Sequence, residues 1–151
     1  MRYGSRRRSG GGRYRARVSF EDLAYDVFQK RCPSRSALEH VTGKWAVLVL
    51  GALAQGPARF GALRRRVDGV SEKMLSQTLQ TLERDGFVHR EVHRPIPPHV
   101  EYSLTPLGRD TAVHLMALVG FLEERMDEVV QARADHDRRD GKAAAGMPEA
   151  Q

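Results

Sequence analysis

The apolar positions change their period along the chain, and the changes mark out its elements. Leu23, Ala24, Val27 and Phe28 recur at helical spacing behind Ser19, Glu21 and Asp22. A hydroxyl cap and two first-turn acids therefore predict an amphipathic helix over residues 20–30, ended by Cys32-Pro33. From Ser36 the pattern is helical again: Leu38 and Val41 share a face, and Gly43 breaks or bends the run. Trp45, Leu48, Val49 and Ala52 line the face that follows, up to the stop at Gly56-Pro57. Phe60, Leu63 and Val67, at i, i+3 and i+7, predict a short helix over 60–67. After the Asp68-Gly69 turn, Ser71 is a good N-cap for a longer helix. Leu75, Leu79 and Leu82 mark the apolar face of that helix, which ends at Asp85-Gly86.

The period then falls from 3.6 to 2. Val88, Val92, Val100, Tyr102 and Leu104 alternate with polar residues on either side of Pro95-Ile96-Pro97-Pro98, predicting a hairpin with a proline-stiffened tip. Thr105 caps the last helix and Pro106 takes its first position. That helix carries a long stripe of Leu115, Leu118, Val119, Leu122, Met126, Val129 and Val130. Beyond about residue 135 the composition turns to Ala, Gly and charge, predicting a disordered tail over 136–151. No internal repeat interrupts this order.

A short helix, a tight turn, a second helix and a hairpin over 60–104 make a winged helix-turn-helix. The predicted fold class is mainly α with a small β-hairpin wing (α+β), with helices at both ends of the body. On a helical wheel Leu79 and Leu82 fall within about 40° of Leu75. The opposite face carries Lys73, Gln77, Gln80 and Arg84, with Ser76 on its flank. Lysine reaches guanine acceptors or phosphate, glutamine pairs with the adenine edge, and small serines at a helix start suit phosphate. The same face also fits a solvated surface helix. The hairpin directly after it tips the reading toward duplex DNA, with Arg59, Arg64, Ser71, Lys73, Ser76, Gln77, Gln80, Arg90 and Arg94 as candidate contacts.

Charge changes this picture less than the total suggests. The formal net charge is +6, but residues 1–17 hold seven arginines and no acid, while 18–131 hold fourteen bases and fifteen acids. The excess belongs to an Arg-rich arm over 1–17, expected to be disordered, and not to a body over 18–135. The arm either lies in a minor groove or serves as a solubilising tail. With one cysteine no intramolecular disulfide can form, and with no apolar run near 20 residues no membrane span is expected. The charged N-terminus has no following apolar segment, so a secretory signal is not expected and the cytoplasm is the expected compartment.

Residues 32–125 resemble the HxlR-type winged-helix regulators. The matching motifs are Cys32-Pro33, Gly43-Lys44-Trp45, Gly56-Pro57-x-Arg59-Phe60-x-x-Leu63-Arg64 and Gly69-Val70-Ser71-x-Lys73-Met74-Leu75. Leu82-Glu83-x-Asp85-Gly86 and Pro97-Pro98-x-Val100-Glu101-Tyr102-Ser103-Leu104-Thr105-x-x-Gly108 complete the set. The resemblance implies a homodimer, paired through terminal helices, on a two-fold operator near a promoter. It also implies that Ser71, Lys73, Ser76 and Gln77 face the DNA. The chain departs from the family pattern at Thr42, usually Gly, at His99, usually Arg or Lys, and over His93-Arg94-Pro95-Ile96, which moves the expected phosphate contact to Arg94.

Leu23, Val27, Phe28, Leu115, Leu118, Val119, Leu122 and Met126 are the candidate dimer residues, since the small body cannot cover the whole stripe. Cys32 stands where thiol sensors of the family carry their cysteine. Lys30, Arg31 and Arg35 nearby favour a thiolate, while a packed, inert cysteine is the alternative. Six histidines include three near the hairpin, but no metal-ligand spacing is present, and no catalytic or cofactor motif appears. The reading is a sequence-specific regulator, expected to act as a repressor and not as an enzyme, with a small-molecule or electrophile effector left open. A winged helix used only for protein contact and a thiol-active protein centred on Cys32 are the alternatives.

Overall fold

A computed structural model describes residues 25–94 and 96–145, with the backbone alone for 142–145. The chain divides into two compact units, Met1–Leu38 and Glu39–Gln151. In the first, residues 25–31 form successive turns where the sequence predicts the end of a helix; residues 20–24 and the Arg-rich arm lie outside the described residues. The Asp26 carboxylate accepts from the Phe28 N–H at 2.9 Å, and Cys32 N–H donates to the Gln29 carbonyl at 3.0 Å. Such local side-chain bonds compete with helix, and Pro33 further disfavours α geometry at Cys32. Pro33 does not close a helix but opens one: α1 spans Pro33–Thr42, and its proline occupies a position where a missing N–H does no harm.

Gly43, with ψ of 141°, leaves the helical region, and α2 follows over Lys44–Leu53. Its buried residues are Ala46, Val49, Leu50 and Leu53, whereas Leu48 is exposed and Trp45 and Ala52 are partly covered. The sequence places the inward face too close to Leu48. Segment 44–53 is apolar nearly all round, so periodicity does not single out one side. β1 (Ala58–Arg59) leads into α3 (Phe60–Arg66), then a turn through Gly69 leads into α4 (Glu72–Arg84). Ser71 caps α4 by accepting from the Met74 N–H at 3.1 Å.

At its far end α4 closes on Gly86 in the left-handed region, φ 81°. Phe87 N–H returns to the Leu82 carbonyl at 2.9 Å and Gly86 N–H to the Glu83 carbonyl at 3.0 Å, which satisfies the last carbonyls.

β2 (Val88–His93) and β3 (His99–Leu104) form the predicted hairpin. β1 adds to the outer edge of β3, giving an antiparallel sheet of order β1-β3-β2. β1 has no counterpart in the sequence reading because two residues are too few to show a period. Leu50, Leu63, Leu75, Leu79, Leu82 and Val49 are the deepest side chains, so α2, α3 and α4 share one core with the sheet base.

Thr105 caps α5 (Pro106–Glu124), accepting from Gly108 N–H at 3.0 Å while its hydroxyl donates to the Gly86 carbonyl at 2.6 Å. Gly108 is needed there: a methyl in its place would sit 1.9 Å from the Phe87 carbonyl oxygen. α5 does not continue unbroken to Val130 as the stripe predicts. It ends at Arg125, and α6 covers Met126–Ala145. The tail expected to be disordered over 136–151 is therefore helical as far as Ala145, and 146–151 lie outside the described residues. Two first-turn acids, an Arg125–Glu128 pair at 2.9 Å and a Gln131–Asp135 bond at 3.0 Å support that helix, which has no buried side chain over 126–141.

Candidate nucleic-acid interface

α4 separates its two sides sharply. Leu75, Leu79 and Leu82 are at most 1 % exposed, while Lys73, Gln77, Gln80 and Arg84 are exposed and Ser76 is half-buried. Thirteen residues give a helix of about 20 Å, long enough to present several side chains along a groove. With the leucines locked in the core, its polar side is held in one orientation. Ser71 is exposed at the amino end and occupied with the cap. Met74, also exposed, adds an apolar contact point that the wheel did not bring out. At the other end the His40 ring nitrogen Nδ1 lies 2.5 Å from Asp85 Oδ2, which ties the end of α1 to the last turn of α4.

Arg64 is engaged in one exposed ion pair. Its Nη1 donates to Glu72 Oε1 at 2.7 Å, a bridge from α3 to the first turn of α4. Both groups are largely exposed, so the pair contributes under about 1 kcal/mol and can exchange for a phosphate. Arg59 is exposed on β1, in register with Glu101. Arg90 pairs in register with Tyr102 on the side of the hairpin turned toward α4, and Arg94 is exposed just past β2.

Between α4 and the hairpin lies a cleft of about 360 Å³ lined by Ser76, Gln80, Glu83, Arg90 and Tyr102. The fold thus brings together three of the candidate contacts, Ser76, Gln80 and Arg90, from two elements. Tyr102 and Glu83 join them unforeseen. Alternation marks Tyr102 only as an inward-facing strand residue, and nothing in the spacing predicts a shared cleft.

The terminal helices behave differently. Leu115 is buried in the core against α2, so it belongs to no exposed stripe, contrary to its place among the candidate dimer residues. Val119 is half-buried, and Leu118 (54 %), Leu122 (44 %) and Met126 are exposed. Phe121 (55 %) lies in the same exposed stretch, although the helical pattern did not single it out. Val27 is half-buried and Phe28 exposed in the first unit; Leu23 lies outside the described residues.

Cys32 is half-buried, with Sγ 3.1 Å from Ser34 Oγ. That hydrogen bond, aided by backbone groups of Ser34 and Asp26, holds the thiol below its ordinary range against partial desolvation and the Asp26 charge. Among the described residues no group of three or more His, Cys, Asp or Glu is arranged to hold a metal ion, and no helix is long and apolar enough to cross a membrane.

Comparison with known proteins adds the following. The model of the HxlR-like helix-turn-helix family matches residues 40–130. The HTH-type transcriptional regulator YtfH of Escherichia coli strain K12 is 51 % identical over 108 residues, covering 72 % of this chain and 86 % of its own length. The YtfH structure from Salmonella typhimurium superimposes with a TM-score of 0.69 at 49 % identity, over 73 % of this chain and 98 % of that one. The redox regulator HypR in its reduced form gives a TM-score of 0.60 at 34 % identity, over 66 % of this chain and 98 % of its own.

Proposed function

The chain belongs to the HxlR-like helix-turn-helix family of transcriptional regulators, and from that premise we propose that it binds duplex DNA as a homodimer on a two-fold operator and represses by occluding a promoter. The observation that carries this reading is α4: a leucine face at most 1 % exposed fixes a polar face of Lys73, Gln77 and Gln80 toward solvent beside a hairpin. Lys73 and Gln77 read base edges; Ser71, Ser76, Arg59, Arg64, Arg90 and Arg94 hold phosphates, which positions the helix without specifying sequence. The exposed residues from Leu118 to Met126 pair with a second copy. The two α4 helices then stand about one DNA turn apart, roughly 34 Å. A regulator of this kind works in the cytoplasm, beside its promoter.

Selection of bound duplexes from a random pool tests this. The expected result is a palindrome with half-sites about ten base pairs apart. Lys73→Ala with Gln77→Ala abolishes the shift of that duplex while the melting temperature stays unchanged. A pool from which nothing is enriched at low salt overturns the reading and leaves a protein-contact module.

A second reading concerns control. The hydrogen-bonded, lowered thiol of Cys32 favours reaction with an electrophile or oxidant, as befits a chain similar to a redox regulator. With one cysteine per chain the products are an intersubunit disulfide, a mixed disulfide or an adduct. Diamide then releases the operator from the wild type and not from Cys32→Ser; equal release from both removes Cys32 from control.

A further inference from the structure

The side of the hairpin turned away from α4 carries a group of charges that operator reading by α4 does not use. Odd-numbered residues of β2 and β3 share this side. The register sets Glu91 directly opposite Glu101 and His93 directly opposite His99, and Arg59 on β1 is the partner of Glu101 across the other edge of β3. The His93 and His99 rings are stacked, with centroids 4.9 Å apart and planes 23° from parallel. His93 Nε2 is cut off from solvent and has no hydrogen-bond partner. It stands 3.7 Å from Glu91 Oε2 and 3.6 Å from Glu101 Oε1.

Two carboxylates opposed across a ladder repel each other. The shielded His93 Nε2 lies between them, where a lone pair would face two anionic oxygens and a proton would face two acceptors. An imidazolium there places a full positive charge between the carboxylates. The stacked His99 ring, 4.9 Å away, disfavours a positive charge on both rings at once. The charged and titratable groups facing His93 are thus Glu91 on its own strand and Glu101 and His99 on β3, with Arg59 on β1 behind Glu101.

We propose that His93 is a proton-operated switch on the wing: its protonation, together with Arg59, balances the Glu91–Glu101 pair and strengthens the wing's hold on nucleic-acid phosphate. This rests on the reading of the hairpin as part of the DNA interface. With a neutral ring, the outer side of the wing presents two carboxylates against one arginine, and phosphate is repelled. With a charged ring, the repulsion is cancelled and the two strands are drawn together at the tip. Imidazole is the side chain that ordinarily changes charge between pH 5 and 8. Because the protonated form binds better, binding takes up a proton. Affinity then rises as pH falls, by at most about tenfold per pH unit for each proton.

The test is the Kd for a selected operator at constant ionic strength from pH 8 to pH 6, with ring ¹⁵N spectra of the free protein over the same range. The wild type is expected to tighten about tenfold for a partial uptake of one proton. His93→Gln keeps less than about a fifth of that response, and His89→Gln follows the wild type. Glu91→Gln with Glu101→Gln binds at pH 8 as the wild type does at pH 6. An unchanged pH response in His93→Gln, or a ring still neutral at pH 6, overturns the switch. A protein that binds no duplex at any pH instead sinks the DNA reading, and the ring spectra still decide where the proton sits.

Discussion

α4 and the second half of α5 are both leucine-bearing helices, and they meet opposite fates. On α4, Leu75, Leu79 and Leu82 disappear into the core. On α5, only Ala112 and Leu115 do, and beyond them Leu118, Phe121 and Leu122 stand in the open while Val119 is half-buried. The difference is one of supply. α2, α3 and the base of the sheet share a core with α4, whereas α5 packs on α2 and β3 along one side only and leaves Leu118, Phe121 and Leu122 uncovered. A helix whose apolar face is covered at home can afford a polar face dedicated to something else. A helix whose apolar face is left over is open to a partner, and a second copy would offer an identical stripe.

The contrast can be broken from either side. Leu79→Ala opens a cavity in the core and lowers unfolding free energy by about 2–5 kcal/mol, read as a drop in the urea midpoint. A change near zero would mean that α4 is not anchored as described. Leu118→Glu with Leu122→Glu leaves the circular dichroism of the body intact but shifts sedimentation equilibrium to monomer, and operator affinity falls by roughly a hundredfold, about 2.7 kcal/mol. A variant that still sediments as a dimer removes the stripe as the seam. The smallest effect compares the two caps. Ser71→Ala costs about 1 kcal/mol, the loss of one cap bond. Thr105→Ala costs more, since it also strands the Gly86 carbonyl; equal melting temperatures would show that this second bond contributes nothing.

The parts legible in the sequence are those where one period dominates. Leu75, Leu79 and Leu82 were separable from Lys73, Gln77 and Gln80 because α4 is cleanly two-sided. Ser71 and Thr105 were readable as caps because each stands just before a helical run. α2 is apolar nearly all round, so periodicity points Leu48 inward and does not mark the buried Ala46. The break at Arg125 and the extension of α6 to Ala145 escaped because neither proline nor glycine marks the first, and alanine with paired charges resembles a loose tail in composition. The cleft and the His93 cluster depend on strand register. Alternation shows which side of a strand each residue faces, but it does not say that Glu91 will meet Glu101 or that Arg90 will meet Tyr102.

The joint at Thr105 and Gly108 has a mechanical consequence. One hydroxyl grips the end of α4 at Gly86 and the start of α5 at Gly108, and the absent methyl lets the α5 backbone rest on Phe87 at the root of the hairpin. The three elements thereby form a crank with little play. A rotation of α5 at this joint would have to carry the end of α4 and the root of the hairpin with it, because all three meet within two hydrogen bonds and one backbone contact.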